Sequence, residues 1–337
     1  MSTPSVEAPS AGRELTFGQA INEALAEELR RDERVFVIGK DVAEAGTPFK
    51  VLSGLVEEFG PERVLDSPIS EAGITGLGVG AAMTGLRPVV DIMFGDFLTL
   101  VMDQLVNQAA KVHYMSGGKL SVPLVVRTTL GATRRSAAQH SQSLQAWLGH
   151  VPGLKVAIPS TPHDAKGLLK SAIRDDNPVV FIEDKLHYPL KGEVPADEYT
   201  IPFGVAEVKR PGSDVTIVAT SSMVQVSLAA AEVLAAEGIG AEVIDPRTLK
   251  PLDEEAIVRS AEKTGRALVV DEGHRSYGVT AELASLIAER AFYHLDAPVR
   301  RLGAMDVPVP FSPPLEDVTV PTSETVAAAA RQLVAGA

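Results

Sequence analysis

The sequence has 337 residues, of which 45% are hydrophobic and 22% charged, the composition of an ordinary globular protein. Forty-four acidic against thirty-one basic residues leave a formal charge of −13, which argues against nucleic acid or an anionic membrane as the main partner. The absence of cysteine excludes disulfides, thiolate metal sites and a cysteine nucleophile, and is typical of a reducing cytoplasm. We therefore expect a cytoplasmic protein.

The first half of the chain alternates predicted helices with short apolar strands. Residues 1–13 are rich in Pro, Ser and Ala and are predicted to be a disordered tail. Thr16 is the predicted N-cap of the first helix. The predicted strands are 35–39, 88–93, 122–127, 154–158 and 178–183, and the helices after the first are 51–59, 98–114, 140–148 and 162–173. This alternation predicts a first domain, residues 14–191, of the α/β class with an open, mostly parallel, doubly wound sheet.

The pattern restarts after a stretch with little periodicity. Residues 192–203 contain Pro195 and Pro202 and are predicted to be a linker. Beyond it, strands are predicted at 214–220, 241–245, 266–271 and 299–303, and helices at 226–237, 253–264, 280–292 and 323–334. Residues 204–337 are therefore predicted to form a second, smaller domain with a sheet of the same kind. No apolar run reaches the ~18 residues that a membrane-spanning helix needs.

Residues 66–88 form an unusual segment, D-S-P-I-S-E-A-G-I-T-G-L-G-V-G-A-A-M-T-G-L-R-P. Each Gly within a helix costs about 1 kcal/mol relative to Ala, so such a helix is tolerated where another backbone must approach closely. Glu71 lies at its predicted start. A carboxylate there can stabilise the helix N-terminus by roughly 0.3–1 kcal/mol, or it can serve chemistry. The residues alone leave both interpretations open.

Several common motifs are missing. The sequence contains no phosphate-binding loop of the G-x-x-x-x-G-K-[ST] type and no G-x-S-x-G nucleophile turn. Its seven histidines form no closely spaced ligand pair, so a zinc site built from protein side chains alone is not expected.

Longer segments resemble one known family. They are D-S-P-I-S-E-A-G (66–73), G-A-A-M-T-G-L-R-P-V-V (80–90), A-A-Q-H-S-Q-S (137–143), I-D-P-R-T-L-K-P-L-D (244–253) and V-V-D-E-G (269–273). Together they resemble the beta subunit of the decarboxylating component of 2-oxo acid dehydrogenase complexes. This family belongs to the transketolase-like enzymes that use thiamine diphosphate. The likeness covers residues 14 to 335 and implies a pyrimidine-binding domain followed by a transketolase C-terminal domain.

The resemblance implies roles for four residues. Glu71 matches the acid that hydrogen-bonds the pyrimidine of thiamine diphosphate and so promotes proton removal from its thiazolium ring. Phe97 lies where the family packs an aromatic ring on that pyrimidine, with Met93 nearby. His140 matches the active-site histidine that binds the substrate carboxylate or assists transfer to the lipoyl group. Ordinary core packing for Phe97 and Met93, and a structural hydrogen bond for His140, are the alternatives.

A potassium site is also implied by the resemblance. It would be formed largely by main-chain oxygens, and such hard ligands suit the ion. The matching residues are Leu124, Ala172, Ile173, Asp175 and Asn177.

One absence points to a partner chain. Thiamine diphosphate enzymes bind diphosphate and magnesium through a segment that begins G-D-G, and this sequence has none. The resemblance therefore implies a separate alpha subunit that carries the diphosphate and magnesium half of the site, in an α2β2 assembly. It also implies docking to the basic subunit-binding domain of a lipoyl acyltransferase core.

The substrate and even the activity have alternatives. The loop with Arg134 and Arg135, whose role the sequence does not reveal, differs from that of pyruvate-specific relatives. Pyruvate, a branched-chain 2-oxo acid and acetoin all remain open as substrates. A catalytically inactive scaffold is the non-enzymatic alternative, and a fragment of a transketolase or deoxyxylulose-phosphate synthase is disfavoured by the missing G-D-G segment.

Overall fold

A computed structural model of the protein describes residues 12–336, so positions 1–11 of the predicted tail lie outside the described part. The strands are β1 (Arg13–Thr16), β2 (Val35–Gly39), β3 (Val64–Asp66), β4 (Arg87–Ile92), β5 (Val125–Leu130), β6 (Lys155–Ala157), β7 (Val179–Asp184), β8 (Lys191–Val194), β9 (Glu207–Arg210), β10 (Val215–Ala219), β11 (Ala241–Asp245), β12 (Thr248–Lys250), β13 (Ala267–His274) and β14 (Arg300–Ala304). The α-helices are α1 (Phe17–Arg31), α2 (Leu55–Phe59), α3 (Glu71–Met83), α4 (Ala110–Met115), α5 (Gln145–Gly149), α6 (Pro162–Arg174), α7 (Ser222–Ala236), α8 (Glu254–Thr264), α9 (Val279–Arg290), α10 (Pro313–Glu316) and α11 (Ser323–Val334).

The first sheet is covered by helices on both faces, as predicted. Its strand order is β12-β6-β7-β5-β4-β2-β3, and every neighbouring pair is parallel except β12 with β6. In β2, Val35 and Val37 belong to the core shared with α1 and α6, while Phe36 and Ile38 belong to the core shared with α3. Successive side chains of this fully buried strand point to opposite faces of the sheet, so one strand contributes to the cores on both faces.

The second sheet repeats this arrangement on a smaller scale. Its order is β14-β13-β10-β11-β9, with only β9 antiparallel to its neighbour. Ile217 of β10 packs with α7 and α11, and Val218 packs with α8 and α9. The predicted α/β class with two open, mostly parallel sheets is confirmed.

The two domains are joined by more than a connecting segment. Strand β12 of the second domain extends the edge of the first sheet by pairing with β6. Asp164, at the start of α6, accepts hydrogen bonds from Lys209 Nζ at 2.6 Å and from Arg247 Nη1 at 3.3 Å. Gln145 of α5 donates from Nε2 to Asp271 at 2.9 Å. The carboxyl ends of β7 and β13 also lie near each other, since a Cβ on Gly131 would be 3.1 Å from Asp184 Oδ2 and 3.0 Å from Glu272 Oε2.

The predicted linker, 192–203, is in part ordered on the first domain. Lys191–Val194 form β8, which pairs antiparallel with β1, and Val194 is fully buried. Ile201 is also buried, and its N–H donates to the carbonyl of Gly167 in α6 at 3.1 Å. The segment packs on the first domain because it carries apolar residues, Val194 and Ile201, that are buried there. The neighbouring prolines made this packing hard to predict from the sequence. The domain boundaries themselves stay a prediction.

Several predicted elements differ in extent. The expected helix 98–114 is a 3₁₀-helix (Gly95–Leu100), a π-helix (Asp103–Ala109) and the short α4. Irregular helix of this kind is frequent at functional sites. The expected helices 51–59 and 140–148 shrink to α2 and α5, and β5 runs on to Leu130 because Thr128 and Thr129 pair with β7. Thr16 caps α1 as predicted: its Oγ1 accepts the Gln19 N–H at 3.2 Å, and its own N–H donates to Gln19 Oε1 at 2.8 Å.

Candidate active site

Glu71 is the first residue of helix α3. The preceding Ser70 makes no side-chain cap bond, and Glu71 is the acidic residue in the first turn of the helix. Its position is fixed by the end of β3, where Asp66 accepts the N–H of Ala43 at 2.9 Å and the N–H of Ser67 donates to Gly39 at 2.9 Å. Glu71 is half-buried, and none of the ion pairs among residues 12–336 includes it. No cationic side chain of the described residues therefore neutralises its carboxylate.

The small residues of α3 serve two different contacts. A Cβ on Gly78 would lie 2.6 Å from Val90 Cγ2 and 3.2 Å from Leu124 Cδ1, so this glycine lets the helix approach its own sheet. A Cβ on Gly80 would meet nothing within 4 Å. Leu77 and Met83 of the same helix are 51% and 37% exposed. The outer side of α3 therefore presents small and apolar residues that residues 12–336 do not cover.

His140 lies in an aromatic cluster. Its ring centroid is 4.7 Å from that of Phe94 and 5.4 Å from that of Phe97, with both pairs nearly perpendicular. Phe94 and Phe97 are 5.8 Å apart, and Phe49 lies 5.8 Å from Phe94 on the other side. The predicted residues His140 and Phe97 are thus brought together at the carboxyl end of β4. Helix α3, which begins with Glu71, packs against the 3₁₀-helix that contains Phe97.

The backbone around this cluster is held by buried polar side chains. Thr129 Oγ1 donates to the carbonyl of Met93 at 2.9 Å, which places Met93 beside the end of β5. Asp96 Oδ1 accepts Gln142 Nε2 at 2.9 Å and the Gln142 N–H at 3.2 Å. Asp96 Oδ2 is buried without a protein partner in the described part of the chain. The segments that carry Phe97 and His140 are therefore tied to each other.

Lys185 lies directly behind His140. It is 1% exposed, and its Nζ donates to the His140 carbonyl and lies 5.6 Å from the centre of the Phe94 ring. Burial lowers the pKa of Lys185, against the opposing charge of Asp96. The sequence analysis missed this residue, as it did Phe49 and Phe94. Its place just after β7, at the carboxyl end of a parallel strand, is the signal that could have found it.

Beneath the cluster, Arg127 links three neighbouring strands. Its guanidinium donates to Glu183 at 2.6 and 2.7 Å and also to Asp91. Tyr188 Oη donates to Glu183 at 2.8 Å, and its ring lies 5.1 Å from that of Phe49. Burial raises the pKa of Asp91 to about 6, although Arg127 opposes the shift. This buried ion group fixes the carboxyl ends of β4, β5 and β7 relative to one another.

Arg134 and Arg135 point to different parts of the molecule. Arg134 donates to the carbonyl of Lys185 at 3.1 Å and lies 5.8 Å from the centre of the Phe49 ring, beside the aromatic cluster. Arg135 instead pairs with Glu316 of the second domain at 2.7 Å. The two neighbours therefore make contacts in different domains.

The predicted potassium ligands lie close together at the end of α6. Arg87 Nη1 donates to the carbonyls of Ile173 and Asp175, each at 3.0 Å. The Asp175 N–H donates to Ala172 O, Asp175 Oδ1 accepts Asn177 Nδ2 at 2.8 Å, and Leu124 O accepts the Val179 N–H at 2.8 Å. Each of these carbonyls has a second lone pair that a hard cation could use, but the guanidinium of Arg87 already places a positive charge on two of them. No group of three or more His, Cys, Asp or Glu suited to a metal occurs in residues 12–336.

Comparisons with known families match almost the whole chain. The transketolase pyrimidine binding domain matches residues 13–191, and the transketolase C-terminal domain matches residues 204–326. The beta subunit of acetoin:2,6-dichlorophenolindophenol oxidoreductase from Bacillus subtilis is 50% identical over 96% of this chain and 98% of its own. The 2-oxoisovalerate dehydrogenase beta subunit of the same organism is 46% identical over 95% and 98%. The mitochondrial pyruvate dehydrogenase E1 beta subunit of Dictyostelium discoideum is also 46% identical, over 96% and 92%.

This chain belongs to the family of E1 beta subunits. The resemblance deduced from the sequence is confirmed, and with it membership of an oxidoreductase class whose beta subunits work with an alpha subunit. The transketolase-like family implies thiamine diphosphate as the cofactor. A solved chain described as "Split gene transketolase, inactive beta4 tetramer" has a TM-score of 0.77 and 25% identity, covering 95% of this chain and 98% of its own.

In residues 12–336, no helix of this E1 beta subunit combines the length and the apolar character needed to cross a membrane.

Proposed function

We propose that this chain is the beta subunit of a thiamine diphosphate-dependent E1 component. It would take part in oxidative decarboxylation of a 2-oxo acid and in transfer of the acyl unit to a lipoyl group on an acyltransferase core. The observation that carries the proposal is the cluster of His140 with Phe94 and Phe97 at the carboxyl end of the first sheet, next to the helix that begins with Glu71. Ligands of open α/β sheets bind at this edge.

The half-buried Glu71 and the aromatic cluster fit the pyrimidine half of thiamine diphosphate. When bound, the cofactor supplies a nucleophilic carbon for addition to the 2-oxo group. Glu71 would hold a proton between its carboxyl group and a pyrimidine nitrogen, while Phe97 and Met93 offer apolar contact to the ring. His140, with its ring fixed edge-on against two phenylalanines, would bind the substrate carboxylate or assist transfer to the lipoyl group.

Acetoin cleavage is the second candidate activity, and the sequence identities to known relatives support it as a candidate. The acetoin relative is 50% identical to this chain, and the branched-chain and pyruvate relatives are each 46% identical. The deciding experiment combines the chain with its alpha subunit and measures reduction of an artificial electron acceptor. Pyruvate, 3-methyl-2-oxobutanoate and acetoin should be compared, and no turnover of any of them would favour the inactive scaffold.

We also propose an α2β2 assembly in which the alpha subunit holds the diphosphate and the magnesium ion. The absence of G-D-G from the sequence and the exposed Leu77 and Met83 on α3 support this proposal. The neighbouring solved chain described as an inactive beta4 tetramer agrees with a beta chain that lacks activity alone. A potassium ion on the oxygen set of Ile173, Asp175 and their neighbours remains part of the proposal, and so does a cytoplasmic location.

The requirement for the alpha subunit gives a direct prediction. The isolated beta chain should bind thiamine diphosphate and magnesium weakly and decarboxylate nothing, because it supplies only one half of the site. Calorimetric titration of the beta chain, the alpha chain and the mixture would measure this. Tight binding and turnover by the beta chain alone would contradict the proposed assembly.

Docking to the acyltransferase core gives another prediction. The net charge of −13 suits a basic binding domain, and Glu282 and Glu289 are exposed on α9 of the second domain. Reversing both charges (E282K/E289K) should weaken binding of the core's subunit-binding domain roughly tenfold at low salt, and less at high salt. Surface plasmon resonance at two salt concentrations tests this, with E57K/E62K in the first domain as the matched control. Equal affinity of the two double variants would count against docking on α9.

A further inference from the structure

The segment that carries His140 has a strained backbone. It connects β5 with α5, and Thr133, Arg135 and Ala137 all have positive φ, between 58° and 71°. Such values are uncommon for residues other than glycine and persist only where the surrounding structure imposes them. We call residues 131–140 the His140 loop. Something outside the loop must hold it in this conformation.

Glu316 of the second domain supplies that restraint. Its side chain is fully buried, and its Oε1 accepts the N–H of Thr133 at 2.7 Å. Its Oε2 accepts the N–H of Arg135 at 3.1 Å and the guanidinium of Arg135 at 2.7 Å. One carboxylate thus bonds both positive-φ residues at the start of the loop. The neighbouring Asp317 also pairs with the Arg135 guanidinium, with Oδ1 2.6 Å from Nη1.

Both ends of the His140 loop are anchored. At its start, a Cβ on Gly131 (φ +103°) would lie 3.0 Å from Glu272 Oε2 of the second domain and 3.1 Å from Asp184 Oδ2. At its end, the His140 carbonyl accepts Lys185 Nζ. Because the loop is confined at its start and bonded at the His140 carbonyl, we expect a change at Glu316 to shift the backbone that carries His140.

We propose that Glu316 is a positioning residue that sets the His140 loop for reaction, so that the second domain takes part in building the active site. This inference rests on the proposed function for its kinetic consequences. Its structural basis is separate, since the three hydrogen bonds to Glu316 order the loop whatever the substrate.

The kinetic test uses the αβ assembly. Glu316→Ala should lower kcat/KM by ~10–10²-fold, because small displacements of reacting groups have effects of this size. Glu316→Gln, which retains one acceptor oxygen, should lose less. Arg135→Met keeps both main-chain bonds and should lose less still. Asp317→Asn serves as the matched control, because among the described residues the Asp317 side chain pairs with the Arg135 side chain and with no main-chain group of the loop.

A double-mutant cycle separates positioning from general damage. If Glu316 acts through His140, Glu316→Ala should have little further effect in a His140→Ala background. An equal loss in both backgrounds, or an unchanged kcat/KM of Glu316→Ala, would overturn the proposal.

A second measurement does not depend on activity. Amide hydrogen exchange in a peptide covering residues 131–140 should be roughly tenfold faster in Glu316→Ala than in Asp317→Asn, since two main-chain N–H groups lose their acceptor. If the assembly proves inactive with every substrate but exchange still rises, the proposed function fails and the loop restraint stands. Unchanged exchange would overturn the restraint itself.

Discussion

Replacing Glu71 by glutamine or alanine should reduce kcat of the αβ assembly by ~10²–10⁴-fold, the range that a positioned acid–base group contributes. Glu71 begins α3 and has no ion-pair partner among the described residues. Its proposed role is to hold a proton at a nitrogen of the cofactor's pyrimidine. Glutamine retains the size and hydrogen-bonding oxygen of the side chain, but it cannot exchange that proton.

Magnitude separates this role from a structural one. As a helix-terminal charge, Glu71 would stabilise the protein by roughly 0.3–1 kcal/mol, and its loss would leave turnover nearly unchanged. A loss of ~10²–10⁴ in rate corresponds to about 2.7–5.5 kcal/mol in the activation barrier. Thermal unfolding and kcat should therefore be measured on the same preparations of Glu71→Gln and Glu71→Ala.

The matched control is Glu62→Gln, which neutralises an exposed acid before β3. It should leave both kcat and thermal stability unchanged. If Glu71→Gln retained kcat within about twofold, the assignment of Glu71 to the cofactor would be wrong, and a helix-stabilising role would remain.

The sheets could be predicted from sequence because each strand is a short apolar run bounded by turn residues. In β2 all five residues are buried, which is the pattern of a parallel strand covered on both faces. The prediction of one continuous α-helix over 98–114 was wrong, because apolar periodicity does not distinguish α-helix from the 3₁₀- and π-helical segments that form there. The strand within the predicted linker was not predicted for two reasons. Prolines interrupt its pattern, and its pairing partner β1 lies far away in the sequence.

The candidate site was predictable only where family motifs mark it. Glu71 and His140 lie in such motifs, Phe97 lies where the resemblance implies an aromatic ring, and the structure places His140 against Phe97. The place of Lys185 just after β7 could have marked it as a candidate, but the contacts of Lys185 and Glu316 were not predictable. Their partners, the His140 carbonyl and the Thr133 N–H, are main-chain groups far away in sequence. Contacts of this kind depend on backbone conformation, which residue types alone do not reveal.

Replacing Arg127 by methionine should destabilise the first domain by about 3–5 kcal/mol, the usual cost of removing one partner of a buried ion pair. The Asp91 and Glu183 carboxylates would remain 7% and 0% exposed with no cation between them. Asp91 is the direct register partner of Arg127 across β4 and β5, and Glu183 lies on β7 at the other side of β5, so both acids stay in the interior of the sheet. Tyr188 donates to Glu183 but brings no charge.

Trp147 offers a local probe, since it is the only tryptophan in the sequence and lies on α5 of the first domain. Urea unfolding followed by its fluorescence should show the loss for Arg127→Met. The control is Arg331→Met, which breaks a pair with Glu237 whose side chains are 44% and 39% exposed. Surface pairs of this kind contribute about 0–1 kcal/mol. Equal losses in the two variants would contradict a stabilising role for the buried group.

The deficit of Arg127→Met should also depend on pH. The pKa of Asp91 is raised to about 6 by burial even with Arg127 beside it, and removing that cation raises it further. An acid whose pKa is higher in the folded than in the unfolded state lowers the free energy of unfolding. The loss is complete above the folded-state pKa and disappears as the pH falls to the unfolded-state pKa. The deficit should therefore shrink as the pH falls from 7 towards 5, and Asp91→Asn in the Arg127→Met background should weaken this dependence.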